Sequence, residues 1–354
     1  MSPVTTRPGI PGMSPVKTLS VLDQSPIREG GTAAQALHES AELARTAEAL
    51  GYHRFWLAEH HSNAGLACVA PEIVIAHVGA QTSRIRIGSG GVMLTHYASL
   101  KVAEQFRTLE TLFPGRVDLG IGRAPGSDMH TARALSHGPG ALPLEAYPQQ
   151  VADLVHYLED SLPADHPFHG IHASPTGSGM PEVWCLGSST DSAYVAATLG
   201  LPFSFAQFIA PETGQRAVQV YRDHFRASRF LDAPRISVGV STVCAPTEDE
   251  AIALSWSRYC WRFRHGQVPS VETALAFDYS QPELEYVRYH RAQSAVGDPQ
   301  QVRARLEAIA EELTADEVIV LTITHDFEAR LRSYRLVAEA FGLVDGVVTA
   351  VATK

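Results

Sequence analysis

The stretch RIRIGSGGVMLTHYASLKVAEQFRTLETLFPGRVDLGIGR (84–123) reads as a strand, a helix and a second strand. RIRIGSGG (84–91) and RVDLGIG (116–122) are short β-rich runs. The segment between them is rich in Ala, Leu, Glu and Arg, predicts a helix, and closes on Pro114-Gly115. The same alternation continues in both directions. Further strands are predicted at 17–23, 54–58, 182–187, 203–206, 236–244 and 317–323. A helix after the first strand sets Ala36, Leu37, Leu43, Ala47 and Leu50 near one face, with Gly51 as its stop. Eight strand–helix units in about 330 residues specify an α/β chain folded as a (β/α)8 TIM barrel rather than an open sheet. Two longer irregular stretches, 161–180 and 264–296, interrupt it. Insertions after barrel strands can shape a substrate pocket or simply pack.

The bulk numbers agree with one large unit. The chain has 354 residues, 45% of them hydrophobic, and no Gly/Ser-rich or charged linker. We expect a single domain over 17–345, an N-terminal tail over 1–16 that lacks the apolar stretch of a signal peptide, and a C-terminal tail over 346–354. A net charge of -10 argues against nucleic acid or an anionic membrane surface as partner. No apolar run approaches the roughly 20 residues that span a bilayer. Cys68, Cys185, Cys244 and Cys260 form no C-x-x-C pair, which suits a reducing cytoplasm, and Cys185 and Cys244, in strand-like segments, read as buried structural thiols.

Barrel enzymes carry their chemistry on loops at the C-terminal ends of strands, and four clusters fall there. FWLAEHHSN ends the second strand in Glu59, His60 and His61. Gly90 and Gly91 end the third, fitting a backbone that passes beneath a flat ligand or forms a bulge without one. Arg123 follows the fourth, as a phosphate fork or a salt-bridge partner. GSSTDS (187–192) follows the fifth, and Ser188, Ser189 and Ser192 bring hydroxyls to a helix N-terminus that could hold phosphate or be an ordinary cap. A dinucleotide fingerprint fails because Pro125 stands where its third glycine belongs. No metal site is expected, since adjacent His60 and His61 project to opposite faces of a strand and no H-x-H or H-E-x-x-H is present.

Together AEHHSN, the 84–128 segment, GSSTDSAYVAATLGLP and the ending VGDPQQVRARLEAIAEELTADEVIVLTITHDFEARLRSYRLVAEAFGL resemble the bacterial luciferase-like flavin monooxygenases over nearly the whole chain after residue 17. The likeness is to the single-chain branch found in bacterial metabolism and actinobacterial natural-product pathways. The resemblance implies a barrel that binds reduced FMN, reacts with O2 through a C4a-hydroperoxyflavin, and oxygenates a small organic molecule such as a polyketide intermediate of antibiotic biosynthesis or an aldehyde. By the same likeness, His60 lies beside the reacting edge of the flavin, with Glu59 or His61 orienting it. Gly90-Gly91 match a non-prolyl cis peptide beneath the ring. Arg123, Ser188, Ser189 and Ser192 match the phosphate contacts, although the family often carries Glu where this chain has Ser188. Gly122 stands where some luciferases have a cysteine. The family further implies a flavin reductase as supplier of reduced FMN and a homodimer built on the helices after strands two and three. Alternatives on the same barrel are a flavin- or deazaflavin-dependent dehydrogenase and a non-catalytic flavin-binding subunit.

Overall fold

A computed structural model gives the fold and describes residues 14, 16–123, 126–136, 142–177 and 179–343. The expected tails fall mostly outside the described residues, but Val16 is buried against the core. The strands are β1 (Thr18–Asp23), β2 (Arg54–Leu57), β3 (Arg86–Met93), β4 (Val117–Gly122), β5 (Glu182–Gly187), β6 (Phe203–Ala206), β7 (Ile236–Cys244), β8 (Ala295–Gly297) and β9 (Glu317–Leu321). All pairings among them are parallel. Eight strands close a ring in the order β1 through β7, then β9, which pairs back onto β1. The expected barrel is therefore present. The extra strand β8 lies outside the ring and extends the sheet at Thr242–Cys244 of β7.

Side-chain alternation assigns each strand residue to one of two cores. On β2, Phe55 and Leu57 point outward into the layer shared with the helices, while Trp56 and Ala58 point into the barrel beside Leu22, Trp184 and Ile319. The Trp56 and Trp184 rings meet edge to face at 5.5 Å between centroids. The helix Ala33–Ala49 covers the outside. Thr32 and Gln35 cap it reciprocally, and Ala36, Leu43, Ala47 and Leu50 are buried as their spacing predicts. Gly51 and Gly115, with φ of 85° and 74°, end the helices Ala33–Ala49 and Ser99–Leu112 in the left-handed region that favours glycine.

The floor of the barrel is charged, a feature the sequence reading did not anticipate. Arg54 is fully buried, donating to Glu317 (Nε, 2.7 Å) and Asp118 (Nη1, 2.7 Å). Asp118 also accepts from Trp56 Nε1 and Arg86 Nε, and Glu317 from Ser20 Oγ. The Arg54 guanidinium sits 4.8 Å from the Trp184 ring centroid, so aromatic faces roof the ion network.

The two expected insertions differ. Among the described residues, 161–180 is irregular and folds back on Ser99–Leu112, where Arg107 donates to the carbonyls of Ala173 and Pro175. The 264–296 stretch is largely helical (Val271–Leu275 and Gln281–Gln293), the second helix opening with a Ser280–Glu283 capping box. Its apolar residues are too sparse for a helical stripe to show in the sequence. No helix among the described residues is long and apolar enough to cross a membrane. All four cysteines are free and buried.

Candidate active site

The inward parity of β2 runs 54, 56, 58 and continues to residue 60, so the series that fills the barrel ends by delivering His60 to its mouth. There it lines a cavity with Gly90 and Gly91 from β3, Arg123 after β4, and Ser188, Ser189 and Ser192 after β5. Seven of the nine expected site residues thus meet in one cavity, on an arc of four neighbouring strands. Three inter-strand steps span roughly 14 Å along the rim.

Glu59 and His61 have the other parity and do not join them. Glu59 is fully buried outside the barrel wall, where its carboxylate accepts from His61 Nε2 (2.6 Å), Tyr97 Oη (2.6 Å) and the Met93 backbone N–H (2.9 Å). This cluster ties the end of β2 to the end of β3. Burial, reinforced by Glu59, raises the Tyr97 hydroxyl well above its usual range and keeps it a donor. The Glu59 carboxylate thus bonds elsewhere than to His60.

His60 Nδ1 is buried without a hydrogen-bond partner. Burial, with the adjacent His61 ring adding to it, lowers the His60 pKa to about 4. Near pH 7 the imidazole is neutral, able to donate from one nitrogen and accept at the other. Because this value lies below the 6.5 of an unperturbed histidine, the unfolded chain takes up the proton first as pH falls. We expect His60 ring resonances in an NMR titration to move near pH 4 rather than near 6.5. His60→Asn should correspondingly flatten the loss of stability between those two pH values, and an unchanged acid branch would contradict this environment.

The glycines are required by space. The Gly90–Gly91 peptide is cis and not prolyl, as the resemblance implies. A Cβ on Gly90 would lie 2.6 Å from Leu22 Cδ1, and one on Gly91 2.7 Å from the Gly120 carbonyl oxygen. The β3–β4 register shifts between Gly90 and Val92. Gly122 has only Met93 Sδ near its would-be Cβ, at 3.5 Å, which leaves this wall open.

At the far strands of the arc, Ser189 caps the helix Thr190–Thr198 by accepting from Ser192 N–H, and Ser188 is fixed through its carbonyl by Thr213 Oγ1 (2.8 Å). Among the described residues, the half-exposed Arg123 makes only long contacts, both 3.3 Å, from its two Nη atoms to the exposed Asp191. A guanidinium, serine hydroxyls and the unpaired N–H groups of a first helical turn form a donor set suited to phosphate. The same cavity contains Gln24, Trp56, Ser204 and Phe208, which the sequence reading did not single out. Each except Phe208 sits at inward parity near the end of its strand, and that parity was their available signal. Among the described residues no cluster of His, Cys, Asp and Glu could hold a metal.

Comparison with known proteins agrees with this geometry. The family model described as luciferase-like monooxygenase matches residues 18–317. A luciferase-like monooxygenase of Escherichia coli K12 is 40% identical over 324 residues, 90% of this chain and 95% of that protein. An N-acetyl-S-alkylcysteine monooxygenase of Bacillus subtilis is 35% identical over 332 residues, 91% of this chain and 97% of that one. Among solved structures, apo-MsnO8 superposes with a TM-score of 0.84 at 39% identity, covering 93% of this chain and 98% of its own. The chain belongs to the luciferase-like monooxygenase family.

Proposed function

We propose that the protein is a two-component FMN-dependent monooxygenase, oxygenating a small organic substrate with O2 and with reduced FMN brought by a separate flavin reductase. One observation carries this reading above the others. A neutral imidazole with an unpartnered buried nitrogen shares a single cavity with a glycine pair that leaves room for a ring and with a phosphate-type donor set. When bound, reduced FMN supplies the electrons that activate dioxygen. The chain's own part is to hold, exclude and protonate. Arg123, Ser188, Ser189 and Ser192 grip the phosphate, so that binding energy far from the ring fixes the ring's position. Leu22, Trp56, Leu186 and Ile319 keep water from the ring's inner face. His60 holds or accepts a proton at its ring nitrogens beside the reacting centre.

Within this reading the substrate is a polyketide intermediate of antibiotic biosynthesis or an aldehyde, and the enzyme works in the cytoplasm, where buried free thiols persist. The domain is residues 17–345. The homodimer forms through the helices Pro71–Gly79 and Ser99–Leu112, whose Ile73 and Leu112 are 68% and 59% exposed, as an unpaired apolar face would be. Mass spectrometry under labelled oxygen, with enzyme, reductase, FMN and candidate substrates, should show incorporation of one labelled oxygen atom. Hydride transfer to the cofactor without oxygen consumption would replace the monooxygenase reading with the dehydrogenase one. Arg123→Ala should weaken FMN binding roughly 10- to 100-fold, the value of one charge-assisted contact, as read by quenching of flavin fluorescence. Riboflavin, which lacks the phosphate, should bind both forms alike, and an equal loss for both flavins would move the phosphate elsewhere.

A further inference from the structure

A second cavity adjoins the first and shares Gln24, His60, Phe208 and Ile209 with it. Its walls divide by chemistry. Phe208 and Ile209, with the buried Leu321 and Ile323 at the end of β9, give one apolar side. The other side comes from the helices Glu248–Arg264 and Gln281–Gln293 and presents Arg258, Arg262 and His290.

Arg258 donates to Ser241 Oγ (2.7 Å), and among the described residues neither it nor Arg262 has an ion-pair partner. The two arginines stand four residues apart on one helix, a spacing at which like charges repel. Burial, with Arg262 adding to it, lowers the proton affinity of Arg258, and burial, with both arginines adding to it, lowers that of His290 against the opposing pull of Glu212. On the same pair of helices, Arg291 is held over the rings of Trp256 (4.6 Å) and Tyr259 (5.4 Å), and two of its nitrogens are buried without a partner. A buried guanidinium without an anion is costly, and structures normally pair it. The half-buried Arg258 faces the open cavity, where a counter-charge can reach it.

We propose that this second cavity is the substrate chamber and that it selects a small organic acid, its carboxylate docked on Arg258 and its apolar part lying along Phe208 toward His60. The assignment rests on the flavin reading, because it takes His60 as the reacting end. It narrows the substrate class, since an aldehyde without an acid group leaves Arg258 unpaired. One N–H of Arg258 is taken by Ser241, and its remaining donors suit the two oxygens of a planar carboxylate. Arg262, exposed at the mouth, steers the anion inward.

The test is calorimetric binding to the full chain without flavin, using phenylacetate through 6-phenylhexanoate, each against its primary amide and the matching sulfonate. At least one acid should bind roughly 10- to 100-fold more tightly than its amide. Arg258→Met should abolish that preference while amide binding persists, Arg258→Lys should keep part of it, and Arg262→Gln should reduce it a few-fold. The proposal is overturned if no acid outbinds its amide, or if the preference survives in Arg258→Met. A sulfonate that outbinds its carboxylate overturns the choice of acid. FMN titration of the same samples keeps the two readings apart. Intact FMN binding without acid preference refutes this proposal alone, and acid preference without FMN binding refutes the flavin site alone.

Discussion

Replacing His60 with alanine lowers turnover by roughly 10²- to 10⁴-fold, the range for losing a positioned proton donor or acceptor, while FMN affinity changes little. The separation follows from the geometry. His60 ends the inward series of β2 and lines both cavities, whereas the phosphate-type donors stand on β4 and β5. The ring's buried Nδ1 has no hydrogen-bond partner, and the ring's other interaction is with the backbone of Ala58, so its removal disturbs little else in the fold. Labelled-oxygen incorporation with excess reductase reads the rate, and flavin fluorescence reads the binding. His61→Ala should cost much less turnover, because His61 bonds to Glu59 outside the barrel wall. If His60→Ala turns over at the wild-type rate, or if His61→Ala is the more damaging change, the parity argument is wrong.

The comparison between the two histidines also marks how far the sequence could be read. The β-rich runs and helix stops placed all eight barrel strands, because each run is bounded by glycine or a polar turn and each barrel strand is buried on both faces. The residues that share the mouth cavity were legible because they fall at strand ends, where a barrel fold puts its chemistry. Expecting Glu59 or His61 to orient His60 followed adjacency in the chain, whereas a strand separates neighbours and joins residues two apart. The substrate-side cavity was harder to read. Arg258, Arg262 and His290 come from two helices after β7, and nothing in their local pattern tells a cavity wall from a solvated helix face. Of the aromatics in the two irregular stretches, Tyr286 reaches it, while Phe168 and Tyr289 are exposed. Arg54, Asp118 and Glu317 each stand at or next to the start of an apolar strand. Their inward parity was visible, but their mutual pairing depends on ring closure.

That closure leads to the largest expected effect on stability. Arg54→Met should destabilise the fold by about 3 to 5 kcal/mol, the range for removing one partner of a buried ion network. Methionine fills much of the space and keeps contact with Trp56 and Trp184, so the loss reflects charge more than cavity. Glu317 retains only Ser20 Oγ as hydrogen-bond donor, while Asp118 keeps Trp56 and Arg86. Glu317 is therefore the group left uncompensated, and Arg54→Met/Glu317→Gln should regain a substantial share of the loss. Chemical unfolding followed by tryptophan fluorescence measures both, since Trp56 and Trp184 roof the network. The floor lies at the N-terminal ends of the strands, remote from the mouth, so folded Arg54→Met should keep its oxygenation rate. A variant of normal stability with impaired turnover would reverse this assignment, making the ion network part of the chemistry rather than the foundation on which the barrel closes.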